Sequence, residues 1–449
     1  MAPEIRDQLR RAAREPGGDL NPAALRRRVR QLRRRRLAST VVAVALLGLL
    51  VPLGQAGLER LREPAGAVDR PPGPAATTPA PRATTATTTP TVTTAAGPAA
   101  RPAPLGTPEQ AIAALSRLPK GWTDLPPPPG PRTDAVSLWI GNGLFFWGGE
   151  SWRGGSHAGG WLFDPVARTW HAITPAPLSG RSLAAAVWTG DEVLVWGGYA
   201  KGGTFDDGAA YDPATGTWRV LPAAPLSARA PVATVWTGTE MIVWGSTSRD
   251  QPAARDGAAF DPRASRWRTI APAPVALNLA GWPSPSSVWT GQEMIVVGSL
   301  LDDNNASKLP SATGLAYNPA TDAWRELPKV KLSPQASTAA WTGSKVLAWD
   351  YDRRAAIYDP EQDSWRRLPN PPVGSCESYP DGAATGRLVF ARLCGDALWD
   401  AQTGKWIKVE QRENRSYGHG RVVAAGPVFL VAGATHESDA HGLVAYNPH

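Results

Sequence analysis

Three arginines, Arg132, Arg181 and Arg229, recur at nearly even spacing, each nine residues ahead of a glycine, Gly141, Gly190 and Gly238. Counting the same nine residues back from Gly291, Gly343, Gly386 and Gly426 gives Trp282, Pro334, Glu377 and Tyr417. An arginine offers a planar fork that grips a carboxylate through two parallel hydrogen bonds. Tryptophan and tyrosine offer a broad apolar ring with a polar tip. Gathered at one mouth, Arg132, Arg181, Arg229, Trp282, Glu377 and Tyr417 would bind acidic or sugar-like groups. The arginines also fit a second role, hydrogen bonding to carbonyls of neighbouring loops as part of a repeat, and the sequence leaves both roles open.

Other chemistry is thinly represented. The six histidines, His157, His171, His419, His436, His441 and His449, show no ligand-like spacing. His436 and His441 flank Glu437 and Asp439, and Asp302-Asp303-Asn304-Asn305 is rich in oxygen donors, but neither has the spacing of a zinc or calcium site. No metal and no cofactor are therefore expected. Cys376 and Cys394 are the only two cysteines in the chain. They flank Thr385-Gly386 almost symmetrically, so a hairpin turning there would set them opposite each other or one residue off, within reach of a disulfide.

The elements that must position these residues are written as a repeat. An aromatic-Asp-Pro triplet followed by Trp appears as Phe163-Asp164-Pro165 to Trp170, Tyr211-Asp212-Pro213 to Trp218, and Phe260-Asp261-Pro262 to Trp267. It continues as Tyr317-Asn318-Pro319 to Trp324 and Tyr358-Asp359-Pro360 to Trp365, loosens to Trp399-Asp400-Ala401 to Trp406, and stops at Tyr446-Asn447-Pro448. Between successive triplets lies an inner hairpin: a strand, a glycine turn such as Trp188-Thr189-Gly190, then a second apolar strand such as Val193-Leu194-Val195-Trp196. A β-type period of 41 to 57 residues means a propeller or similar array. Seven turns and seven triplets match seven outer strands only if Trp122, which has no triplet of its own, opens the outer strand of the last blade. The fold class expected is all-β, a seven-bladed propeller whose last blade is closed by the strand near Trp122, which leaves no exposed edge. Before it, Thr107-Pro108-Glu109-Gln110 has the form of a capping box that starts a short helix.

The double glycine ending the second strand, followed by an aromatic and a spaced Trp, resembles the kelch repeat. The ring over about residues 122–448 is similar to the seven-bladed kelch propeller of galactose oxidase. Only the first two repeats keep both glycines; Gly245-Ser246, Gly298-Ser299, Asp350-Tyr351 and Gly433-Ala434 stand there later. The resemblance implies fold more than chemistry, because kelch propellers serve both as binding modules and as enzymes. The oxidase copper site takes two Tyr and two His, one His from an added C-terminal domain. The chain here ends with the seventh repeat and lacks that histidine pattern, so the oxidase chemistry is not carried over.

Charge and composition divide the chain before the repeats. Residues 1–36 carry twelve Arg against four acids, a balance of +8, which equals the net charge of the whole chain. Everything after Arg36 is neutral overall, which excludes a nucleic-acid-binding propeller, since phosphate neutralisation needs a positive face. Leu37 to Gly54 is uncharged, and at ~1.5 Å per residue it is just long enough to cross a bilayer. Residues 37–58 are expected to be an uncleaved single-pass helix, with the Arg-rich head 1–36 in the cytoplasm. Residues 59–107, dominated by Pro, Ala and Thr, read as a disordered stalk, and residues 108–449 as the propeller. On this topology the two cysteines lie where thiols oxidise. The head also weakly resembles those of bacterial membrane-bound anti-sigma regulators, without the Cys and His of their zinc motif.

The functional expectation is a propeller tethered outside the bacterial cell membrane that binds a cell-envelope glycan or protein. The alternatives are a sugar-modifying enzyme and a transmembrane regulator acting through the head. The ligand's identity and the oligomeric state are not readable from the residues.

Overall fold

The computed structural model describes residues 105–449, apart from 131, 152–153, 232, 247–253, 276, 279–286, 301–312, 333–336, 351, 375–379, 394, 411–419 and 436–437. Seven antiparallel sheets follow one another along the chain, each built on four consecutive strands or their equivalent. Blade 1, for example, pairs Val136–Trp139, Leu144–Trp147, Gly160–Asp164 and Thr169–Ala172 in that order. Blade 2 repeats it with Ala185–Trp188, Val193–Trp196, Gly208–Asp212 and Thr217–Val220, and blade 3 with Ala233–Trp236, Met241–Trp244, Gly257–Asp261 and Arg266–Ile270.

Strand composition sets the order within a blade. The second strands read Leu-Phe-Phe-Trp, Val-Leu-Val-Trp and Met-Ile-Val-Trp and are buried at every residue. A run apolar on both faces must be covered on both, so it takes a central place with a blade packed on either side. The last strands of blades 1 and 2 expose their ends and half-bury their middle residues, as an edge facing solvent does. Packing between blades is where the core lies. Phe145 and Trp147 of blade 1 pack with Val193, Val195 and Tyr211 of blade 2, and Leu194 and Trp196 of blade 2 pack with Met241, Val243 and Phe260 of blade 3. The last such cluster joins Phe390 of blade 6 to Phe429 and Tyr446 of blade 7.

The ring is closed. Each innermost strand packs on the next, and Val136–Trp139 of blade 1 meets Arg421–Ala425 of blade 7. Blade 7 takes Arg421–Ala425, Val428–Thr435 and Ser438–Asn447 from the end of the chain and its fourth strand, Gly121–Leu125, from the beginning. Trp122 stands opposite Tyr446 in that pairing, its ring 5.1 Å from Tyr446 and 5.8 Å from Phe390. The helix Pro108–Ser116 precedes it with the capping box formed in both directions between Thr107 and Gln110. Its Leu115 reaches the cluster shared by blades 7 and 1.

The triplet motif is a fastening between blades. Its aromatic and its Trp are direct cross-strand partners, as in Tyr211 opposite Trp218, and in six blades their ring centroids lie 4.9 to 5.2 Å apart. The Asp side chain accepts from backbone amides two and three residues on, for example from Val166 and Ala167 to Asp164, which is how an Asx turn replaces missing backbone bonds. The residue four after the Asp turns left-handed, at φ 71° in Gly216 and 56° in Arg168. Each Trp then donates its indole N–H to a carbonyl just past the outer strand of the preceding blade. Trp218 donates to Thr174, Trp267 to Pro222, Trp324 to Ala271 and Trp406 to Pro369. Across the closure Trp122 donates to Glu410 and Trp170 to Pro126. Trp365 is the exception: its buried indole N–H has no acceptor among the described residues.

Two expectations meet the structure differently. Cys376 and Cys394 lie outside the described residues, but the ladder between Asp381–Thr385 and Leu388–Arg392 bears on the spacing argument for their bridge. A hairpin with Cys376 opposite Cys394 would set Asp381 against Val389, whereas Asp381 stands opposite Arg392. The turn is Gly386-Arg387 rather than Thr385-Gly386, so the near-symmetry of the two cysteines about the turn does not hold. The head, the apolar segment 37–58 and the stalk 59–104 lie outside the described residues, and among those described no helix is long and apolar enough to cross a membrane.

Candidate functional site

The loops leading into the innermost strands and those leaving the second strands share one face, here called the upper face. Arg132, Arg181 and Arg229 all sit there, immediately before Val136–Trp139, Ala185–Trp188 and Ala233–Trp236. Trp282, Pro334, Glu377 and Tyr417 lie outside the described residues, as does the whole loop 301–312 between Met294–Leu300 and Thr313–Asn318.

Arg181 and Arg229 are not free forks. Arg181 is fully buried and Arg229 is 4% exposed. Arg181 holds Asp207 through Nη1 to Oδ1 at 2.6 Å and Nη2 to Oδ2 at 3.2 Å, and Arg229 holds Asp256 through the same atoms at 2.7 and 3.0 Å. Each Nε donates to a carbonyl two residues back, Ser179 or Ser227, at 2.9 Å. A buried cation without a partner is costly, whereas one gripped end-on by a carboxylate is tolerated. Arg229's hydrogen bonds in turn hold the Asp256 carboxyl below its ordinary value. The hydrogen-bonding edges of these two arginines are thus occupied by the protein's own acids and carbonyls, which fits the second of the two roles the sequence leaves open.

The same arginines explain the double glycine. Gly149 donates its N–H to the Arg181 carbonyl at 2.8 Å and Gly198 to that of Arg229 at 2.9 Å, so the arginine loop of one blade lies on the glycine pair of the blade before. A Cβ at Gly148 would come within 2.6 Å of the Arg181 carbonyl oxygen, and one at Gly197 equally close to that of Arg229. The glycine pair survives in blades 1 and 2, the blades followed by these arginines.

Arg132 differs from the other two. It is 6% exposed, and its Nη1 donates to the carbonyls of Gly148 at 2.9 Å and Gly159 at 2.7 Å. Its guanidinium lies 4.1 Å from the Trp161 ring centre, a favourable cation–π position. No acid pairs with it among the described residues, and burial lowers its pKa to about 10. Nearby, His157 is held below its ordinary value by burial and then by the Arg132 charge.

At the opposite ends of the same inner strands, a cavity of about 700 Å³ is lined by Leu105, Ile140, Asn142, Trp188, Asp191 and Glu192 among others. Glu192 is engaged there by Arg219 through both carboxylate oxygens at 2.9 and 2.6 Å. That pair repeats as Glu240 with Arg268 and Glu293 with Arg325, a structural rung of the ring. Among the described residues no three His, Cys, Asp or Glu side chains gather as a metal site would require.

Sequence reasoning found the three arginines but missed the acids that hold two of them. The signal was present: the residue before the glycine that opens the third strand is Asp207 in blade 2, Asp256 in blade 3 and Gly159 in blade 1.

Residues 120–299 match the family model described as the KLHDC2/KLHL20/DRC7 Kelch-repeats domain. None of the curated proteins matches the chain. Among solved structures it is similar to the one titled Structure of YjhT, at 15% sequence identity and a TM-score of 0.45, over 72% of this chain and 95% of that one. The repeats of residues 120–299 are thus of the kelch type, set within a seven-bladed β-propeller.

Proposed function

We propose that this chain is a membrane-tethered binding or scaffold propeller that recognises a cell-envelope glycan or protein on its upper face, outside the cytoplasm. The binding role is supported by the kelch repeats, whose closed ring gathers loops from successive blades around one face of a rigid frame. Loops on a rigid scaffold are where recognition usually resides. The location is supported by the sequence alone: Arg33 to Arg36 followed at once by the uncharged run Leu37 to Gly54 has the charge asymmetry of a single span with its head inside. The Pro, Ala and Thr segment beyond it would hold the ring away from the bilayer, since such chains remain extended.

Protease added to intact cells tests the location: the propeller should be cut away while an antibody to residues 1–36 still finds the head, and full protection of residues 108–449 overturns it. Affinity capture of envelope fractions by the purified full chain tests the binding role. Specific retention of a glycan or protein is the expected result, and retention of nothing overturns it.

A further inference from the structure

Blades 1, 2 and 3 each place an arginine at the same point of the same loop, and each buries it almost completely. In blades 2 and 3 the residue before the third strand is an aspartate whose carboxylate covers the guanidinium, with the Asp207 and Asp256 side chains themselves 46% and 52% exposed. The acid therefore closes each arginine from the solvent side. In blade 1 the equivalent residue is Gly159, which still gives Arg132 its carbonyl but has no carboxylate to give.

The space for that carboxylate remains. A Cβ built on Gly159 meets no atom of the described residues within 4 Å, whereas one on the next residue, Gly160, would collide with the Phe146 carbonyl at 2.5 Å. The backbone of Gly159 is not left-handed, so nothing in its conformation requires glycine. Meanwhile Arg132 Nε is buried with no acceptor among the described residues, where its counterparts in Arg181 and Arg229 donate to the Ser179 and Ser227 carbonyls. Leaving a buried donor unmet is unfavourable, and more so when the group is charged. Blade 1 thus keeps the cation, the depth and the opening of the other two clamps, and lacks both the anion that meets Nη1 and Nη2 there and the backbone carbonyl that meets Nε.

We propose that the open slot beside Arg132 is a carboxylate-binding site, in which an acid carried by a ligand takes the place that Asp207 and Asp256 fill in blades 2 and 3. The ligand group is a planar monocarboxylate that reaches Arg132 over Gly159, with the Trp161 ring behind the guanidinium. Uronic acids and acidic amino-acid side chains share this chemistry. The assignment rests on the binding role proposed above and names what one part of that face would take.

The test is calorimetric titration of the purified full chain in detergent, at constant ionic strength, with glucuronate, with N-acetylglutamate amide and with inorganic phosphate. Saturable binding of at least one carboxylate, stronger than that of phosphate, is the expected result, and which of the two binds identifies the sugar or the peptide source. Gly159→Asp should supply the missing acid internally, reduce carboxylate affinity at least tenfold and raise the melting temperature. Arg132→Gln should also lose binding, and serves where Gly159→Asp does not fold. Binding of neither carboxylate, equal binding of phosphate, or binding unchanged in the folded variants overturns the assignment. If envelope capture is undiminished by Gly159→Asp, the binding role stands and the carboxylate site falls. If carboxylates bind yet envelope fractions yield nothing, the reverse holds.

Discussion

The outer rim of the ring repeats itself almost residue for residue, and the upper loops do not. On the rim, the aromatic and Trp pair, the Asx turn and the indole bond to the preceding blade recur around the ring, with Trp365 the buried indole of this set that lacks an acceptor among the described residues. On the upper face only three of the seven repeats carry the arginine, two of those three clamp an acid of their own, and one does not. Repetition marks what every blade must do to hold its neighbour. Departure from the repeat, where the packing around it is kept, marks a place released from that duty, and Gly159 is such a departure.

The largest effect should come from breaking the rim at its one discontinuity in sequence. Deleting Gly121–Leu125 removes a five-residue partner from Ser438–Asn447 and leaves an open edge with unpaired backbone groups. The expected outcome is loss of the cooperative thermal transition for the whole propeller, read by calorimetry. A full-height transition at an unchanged temperature would mean that the rim is not the structural half of the comparison.

Next in size is a change that turns blade 2 into a copy of blade 1. Asp207→Gly leaves the fully buried Arg181 without a countercharge, and uncompensated buried charges cost about 3–5 kcal/mol. Because the Asp207 side chain is half exposed and water can take part of its place, a loss near the lower end, about 3 kcal/mol, is expected in urea unfolding. Adding acetate should recover part of that loss in the variant and none in the parent at blade 2. A loss below about 0.5 kcal/mol would show that Arg181 tolerates what Arg132 has natively, and would sharpen the contrast in favour of a purely structural blade 1.

The smallest effect separates two tryptophans of the rim. Trp218→Phe removes the indole bond to Thr174 along with some ring area. Trp365→Phe removes similar area but no bond, because that indole has no acceptor among the described residues. Trp218→Phe should therefore cost about 1 kcal/mol more than Trp365→Phe. Equal losses would mean that the repeated indole bond contributes nothing net and that the latch is apolar packing alone.

Much of the fold was legible because its determinants are local and repeated. The seven hairpin glycines, Gly141 through Gly426, all take the left-handed backbone that marks a tight turn. The orphan Trp122 pointed to the pairing with Tyr446 across more than three hundred residues, because a counted repeat leaves one strand unplaced. The capping box at Thr107 and Gln110 could be read from four residues. The site was less legible for the opposite reason: an arginine's role depends on what lies against it. The blade-6 hairpin shows the same limit at short range, since a turn displaced by one residue shifts the ladder by two positions and, with the one-residue offset the cysteines already had, leaves it three from a pairing of Cys376 with Cys394.

From the residues alone came the number of blades, the strand that closes the ring and the loop in which the arginines stand, because period and residue type are properties of the chain. Tertiary structure decided that Arg181 and Arg229 face inward onto Asp207 and Asp256, and that Arg132 has space beside it where they have an acid. Burial, the distance between guanidinium and carboxylate, and the room above Gly159 exist only once neighbouring blades are in contact. Those three quantities separate a clamp from a site.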